Sequence, residues 1–206
     1  MKPIIAALSA LVLAGCSVFG GKAAEEPAFS VELSEPPFEI RAYGPVVVAR
    51  TVARGPYREA VGTGFGRLFD YISGANTGAR EIAMTAPVLT DADPSKIAMT
   101  APVLTGEEAE GTAVMFVLPE EFELATAPLP TDPSVSLAEI PARRVAVATF
   151  SGRLGEDGID EARGALIAWL AARGEPTDGD WQAAGYNPPW TIPALRRNEV
   201  MITLPR

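Results

Sequence analysis

Two residue types bound the chemistry open to this chain. It contains no histidine, and its one cysteine, Cys16, closes an apolar leader. Without imidazole there is no Ser-His-Asp or Cys-His catalysis, no imidazole general base, and no His-ligated metal or haem. Carboxylates, tyrosines, methionines and arginines remain. Most carboxylates fall in loop pairs such as Glu107-Glu108 and Glu120-Glu121, the pattern of a solvated surface. Glu199 differs, because it stands between Arg196-Arg197 and an apolar stretch. It reads either as a structural ion pair or as a carboxylate that faces a ligand. Beside a tyrosine it would also suit a hydrolase that works without imidazole. Met84, Met99, Met115 and Met201 sit in apolar strands. There methionine is ordinarily adaptable filler, and only secondarily a soft ligand for metal or haem.

Two further patterns are dense enough to suggest a site. In Gly185 to Ile202, prolines 188, 189 and 193 stiffen a loop that displays Tyr186 and Trp190 and ends in Arg196 and Arg197. Such a loop suits the edge of a pocket for a flat, apolar, carboxylate-bearing molecule, since arginine grips carboxylates bidentately. A well-packed corner would read the same way. The second pattern is Gly62-Thr63-Gly64-Phe65-Gly66. It lacks the spacing of a phosphate loop and lies inside a helical period. Each helix glycine costs about 1 kcal/mol relative to alanine, so three of them imply close approach by another backbone or by a flat ligand.

The leader accounts for Cys16. After Met1-Lys2, the run Ile4 to Leu13 is apolar except for Ser9, and Leu13-Ala14-Gly15-Cys16 follows. The run is too short to span a bilayer and reads as a signal peptide, residues 1–15. The ending resembles a bacterial lipobox, which makes Cys16 the lipidated first residue of a membrane-anchored protein. The bland alternative is an ordinary secretory signal with an incidental cysteine. Ser17 carries no Asp retention signal, so resemblance to other lipoproteins points to the outer membrane, facing the periplasm. Residues 16–35 read as a small, polar, acidic tether, and 36–206 as the folded domain. The balance of 17 basic against 26 acidic residues gives a net charge of −9. With no dense Lys/Arg cluster, nucleic acid is not an expected partner.

The elements that must position these residues follow from periodicity. Phe38 to Tyr43 alternates, with Phe38, Ile40 and Ala42 expected inward, and Gly44-Pro45 turns the chain into a strand from Val46 to Thr51. Val61, Phe65, Leu68, Phe69 and Ile72 mark an amphipathic helix from Tyr57 to about Gly74. Ile82 to Thr90 and Ile97 to Thr105 are the same nine residues, IAMTAPVLT, and read as a hairpin around Asp91-Ala92-Asp93-Pro94-Ser95. Strands follow at Val114–Leu118, Val135–Glu139 and Arg144–Phe150. A second helix carries Ile159, Ala162, Leu166, Trp169 and Leu170, with Asp157 as N-cap and Gly174 at its end. Glu199–Leu204 closes the chain as a strand. Strand-strand-helix-strands thus occurs twice without a βαβ rhythm, which implies α+β, a largely antiparallel sheet or distorted barrel with two helices.

The ordered strings FEIRAYGPVVVART, TGFGRLFDYISGAN, the doubled IAMTAPV, FVLP, AVATFSG and YNPPWTIPALRRNEVMI resemble the SOUL haem-binding protein family. The resemblance implies a distorted antiparallel β-barrel with two flanking helices and an internal pseudo-twofold repeat. It also implies kinship with effector-binding domains that capture lipophilic small molecules. Some members bind haem against one face of the first helix, which here is Gly62, Phe65, Gly66 and Phe69, with Trp190, Arg196, Arg197 and Glu199 as further ligand-binding candidates. Where one haem-binding member carries a histidine ligand in the first strand this chain has Ala42, and where another carries a lysine near the propionates it has Thr191. The expected activity is binding of haem, another tetrapyrrole or a similar small apolar molecule without His ligation, not catalysis. A small-molecule effector-binding domain, a Glu199 hydrolase and a structural envelope lipoprotein are the alternatives.

Overall fold

A computed structural model describes residues 25–77, 97, 99–188 and 190–205. Residues 1–24, with Cys16, and the first copy of the nonapeptide lie outside the described residues. The strands are β1 (Phe29–Glu35), β2 (Phe38–Tyr43), β3 (Val46–Ala53), β4 (Asn76–Thr77), β5 (Val103–Glu108), β6 (Gly111–Val117), β7 (Leu129–Pro130), β8 (Val135–Ile140), β9 (Arg143–Phe150), β10 (Trp181–Gly185) and β11 (Asn198–Leu204). The helices are α1 (Tyr57–Ile72) and α2 (Glu156–Ala171). Nine strands form one sheet in the order β1-β2-β9-β11-β10-β5-β6-β3-β8, with every neighbouring pair antiparallel. β4 and β7 pair apart from it. The class is α+β, as the doubled element order implies.

The internal repeat is visible in the pairing. β3-α1-β5-β6 in the first half matches β9-α2-β10-β11 in the second, and β5 joins β10 at the centre. The Gly44-Pro45 corner does not close a hairpin. Instead β2 pairs with β9 and β8 pairs with β3, so each half lends a strand to the other. The expected hairpin of the two nonapeptides involves the first copy and so lies outside the described residues. Val103 to Thr105 of the second copy has β6 on one edge and β10 on the other.

The sheet is curled but open, since its end strands β1 and β8 are not paired with each other. Val48 of β3 and Val145 of β9 share one buried cluster with Leu104, Met115, Val147 and Met201. In a flat sheet these two strands, five positions apart, would be separated by about 24 Å. Val46 of β3 and Arg143 of β9 nevertheless border one cavity of about 20 Å³, which requires strong curvature, and this cluster lines the concave side. The outer side carries α1 over β3, β6 and β8, and α2 over β9 and β11. β2 is consequently buried on both faces. Ile40 enters the α2 layer, and Arg41, a polar position in the alternating pattern, is only 6% exposed on the concave side.

Helix α1 is rotated from the expected stripe. Its buried residues are Ala60, Gly64, Leu68, Tyr71 and Ile72, while Phe65 is half-buried and Phe69 exposed. Small Ala60 and Gly64 let the helix settle onto β6. A Cβ on Gly64 would stand 2.5 and 2.8 Å from the Val114 side chain. α2 buries Ile159, Leu166 and Leu170 as expected, but Gly155, not Asp157, is its N-cap. The start of the domain also moves. Phe29–Glu35, assigned to the tether, alternates Phe29, Val31 and Leu33 and pairs with β2 as an edge strand.

Candidate functional site

The outward face of α1 forms a shallow shelf. Gly62 and Gly66 lie one turn apart, and a Cβ on either would meet nothing within 4 Å. Phe65 and Phe69 complete that face, their rings stacked with centroids 6.2 Å apart. Phe65 is held from below by the edge of Phe116, at 5.2 Å. Phe69 remains 44% exposed. Two bare backbone turns beside two near-parallel rings make a flat apolar floor on a helix that is otherwise well seated. Exposed Arg58 lies one turn before Gly62 on the same face. It is a cation for a carboxylate at the rim. Sequence reading missed it, although the i, i+4, i+8 series Arg58-Gly62-Gly66 is a signal for it.

The other expected residues do not converge on this shelf. Glu199 is 1% exposed on the concave side, so the sheet separates it from α1. Arg41 donates from Nη1 to its Oε2 at 3.0 Å and from Nη2 to its Oε1 at 3.2 Å. The Tyr186 hydroxyl donates to Oε2 at 2.6 Å. Arg41 is held in turn by Glu39 Oε2 at 2.7 Å and by the Tyr43 oxygen at 3.1 Å. Burial alone would lower the Arg41 pKa, but hydrogen bonds with Tyr43 and Glu199 overcome this and raise it. Burial, reinforced by the neighbouring Glu199 charge, holds the Tyr186 hydroxyl far above the ordinary phenol range. The network is a neutral tyrosine and a closed ion pair. A cavity of about 20 Å³ beside it, bordered by Tyr43, Tyr186, Arg143 and Met201, has space for roughly one water.

The proline-rich loop behaves as a corner. Arg197 lies over the Tyr186 ring at 3.5 Å and pairs with Glu26. Arg196 Nε donates to the Thr191 carbonyl at 2.8 Å. Trp190 is 83% exposed, and among the described residues it shares no hydrogen bond or ring contact with α1. Of the methionines, Met115 and Met201 are concave-side filler, Met99 is 47% exposed, and Met84 lies outside the described residues.

A family model described as SOUL heme-binding protein matches residues 24–203. The chain belongs to the SOUL family. The match begins before β1, in agreement with the edge strand at Phe29–Glu35. Among SOUL relatives, Heme-binding protein 2 of Homo sapiens is 30% identical over 168 residues, covering 80% of this chain and 77% of that one. Heme-binding protein 1 of Xenopus laevis is 27% identical over 164 residues, covering 79% and 81%. Among solved structures, the EcmrR C-terminal domain superposes with a TM-score of 0.54 at 12% identity, covering 82% of this chain and 97% of that domain. EcmrR in its DNA complex gives 0.58 at 13% identity, covering 82% of this chain and 57% of that one. These two likenesses show a shared fold.

Proposed function

We propose that this protein is a binding protein for haem or another tetrapyrrole, held on the α1 shelf by apolar contact and arginine, without a nitrogen ligand to iron. The observation that carries it is the shelf: Gly62 and Gly66 leave open space beside the stacked Phe65 and Phe69. That surface fits the face of a porphyrin. Arg58 is placed to meet a carboxylate substituent. The residues do not fit axial ligation by imidazole, since the chain has none. Family membership and the two relatives named as heme-binding support the ligand class. Buried, doubly engaged Glu199 and the one-water cavity favour binding over hydrolysis. At about 25 cal/mol per Å² over a few hundred Å², burial contributes several kcal/mol before association costs of similar size, which places affinity near micromolar.

We also propose that Cys16 carries the acyl chains that tether this domain to a bacterial envelope membrane, with the outer membrane favoured. The Leu13-Ala14-Gly15-Cys16 ending supports this. Labelled palmitate is expected on the wild type and absent from Cys16→Ser; retention of label on the variant refutes the anchor.

Side-by-side titration with haemin and protoporphyrin IX tests the ligand reading. Iron is incidental to shelf binding, so both are expected to bind with similar affinity. A haemin preference above about a hundredfold, about 2.7 kcal/mol, or a bis-nitrogen low-spin spectrum overturns it.

A further inference from the structure

A second concavity lies away from the shelf, between the segment before β1, the start of β3 and the loop after β6. Its volume is about 650 Å³, within the range of small-molecule sites. Its floor is apolar, with Val46, Val117 and Leu118 below and Phe122 and Leu124 along one wall. Five glutamates line it: Glu25, Glu26, Glu120, Glu123 and Glu139. Among the described residues no lysine or arginine lines it. Glu26 is neutralised by Arg197 from outside. Glu25 accepts the Glu120 backbone N–H at 2.9 Å but has no cation. Glu120, Glu123 and Glu139 have no ion pair among the described residues, although this protein pairs many of its other carboxylates with arginine.

Uncompensated charge around low-dielectric walls focuses a negative potential into the groove. Apolar walls with that potential select for a molecule that is both greasy and positive. Phe122 adds a ring face on which a cation gains further. Among the described residues no three acidic side chains converge as a metal site would require. The charge is therefore arranged diffusely around an apolar space, not focused on a point. The same potential repels the carboxylates of a tetrapyrrole.

We propose that this groove binds a lipophilic organic cation, at a location separate from the α1 shelf. It does not depend on the shelf reading, and the two are testable apart. The probe is tetraphenylphosphonium, with tetraphenylborate as a counterpart of the same shape and opposite charge. Both are titrated by calorimetry into the full chain carrying Cys16→Ser, so that acyl chains do not sequester them. Saturable binding of the cation is expected, with tetraphenylborate at least a hundredfold weaker. Glu120→Gln/Glu123→Gln/Glu139→Gln is expected to weaken the cation at least tenfold without changing the melting temperature, because all three side chains are exposed. Phe122→Ala tests the wall, with the same direction expected. Gly62→Leu/Gly66→Leu is expected to leave cation binding unchanged. Equal binding of both ions, no effect of the glutamine variant, or no saturable binding overturns the proposal. Displacement of the cation by haemin overturns its separate location.

Discussion

Three glycines in one helix turn out to have two different reasons, and alanine substitution separates them. At Gly62 and Gly66 a Cβ meets nothing within 4 Å. Alanine there removes a helix-interior glycine at no steric cost, stabilising by about 0.5–1 kcal/mol per site. For a domain of this size each kcal/mol raises Tm by about 2–4 °C, so the double variant is expected to melt about 2–8 °C higher. Gly64 is the opposite case, because its Cβ would lie 2.5 Å from Val114 Cγ2. Carbon atoms prefer about 3.5–4.0 Å, and overpacking of this kind costs about 1–3 kcal/mol. Set against the propensity gain, Gly64→Ala is expected to lower Tm by a few degrees at about 2–4 °C per kcal/mol. Ligand binding should divide the other way. The two new methyl groups on the shelf lift a flat ligand from its floor, and haemin affinity is expected to fall at least tenfold, about 1.4 kcal/mol. Gly64→Ala should leave haemin affinity per folded molecule unchanged. Circular-dichroism melts and haemin absorbance titrations on the three variants measure both quantities. A double variant that is more stable and binds haemin as tightly as wild type refutes the shelf. One that is destabilised refutes the placement of α1.

Removing one partner of the concave-side ion pair should be costly. Glu199→Gln or Arg41→Met is expected to destabilise by about 3–5 kcal/mol in urea unfolding, while an apolar pair at both positions should recover much of the loss. Gly179→Ala places a Cβ 1.8 Å from the Thr203 carbonyl oxygen and should leave little folded protein by gel filtration. The Tyr71 hydroxyl, buried and donating to the Pro128 carbonyl at 2.8 Å, is pushed up to about 12. Its folded-state pKa lies above the unfolded value, so this contribution is complete below about pH 10 and lost as pH rises through about 12. Tyr71→Phe should flatten that alkaline loss in pH-dependent melts. Hydrogen bonds with Arg173 and Trp169 hold the Glu35 carboxyl below its ordinary range, and a bidentate pair with Arg144 does the same for Glu175. Their contribution is present above about pH 4.5 and lost as pH falls. Glu175→Gln should reduce the acid sensitivity.

Much of this protein is local and therefore written in order along the chain. The α1 and α2 spans, the strands Phe38–Tyr43 and Glu199–Leu204, and the repeated strand-strand-helix order follow from periodicities of two and 3.6, which depend only on neighbours. The absence of imidazole and the apolar run before Cys16 are statements about composition and order alone. Pairing is different in kind. Arg41 and Glu199 are 158 positions apart, and nothing near either residue distinguishes a closed ion pair from a ligand-facing carboxylate. Curvature decided that case. It brings both strands to the concave side and leaves no space beyond roughly one water beside them. The same curvature buries both faces of β2, so an alternating pattern that reads as one face in and one face out hides Arg41 in the interior. The strand exchange between halves was equally invisible, because Gly44-Pro45 fits a hairpin corner as well as a crossover corner. α1 could be read from its spacing, but its rotation could not. Phenylalanines outrank alanine and glycine by hydrophobicity, whereas close approach to Val114 admits only the small residues. Phe65 and Phe69 are thereby left on the outer face, where they are available to a ligand.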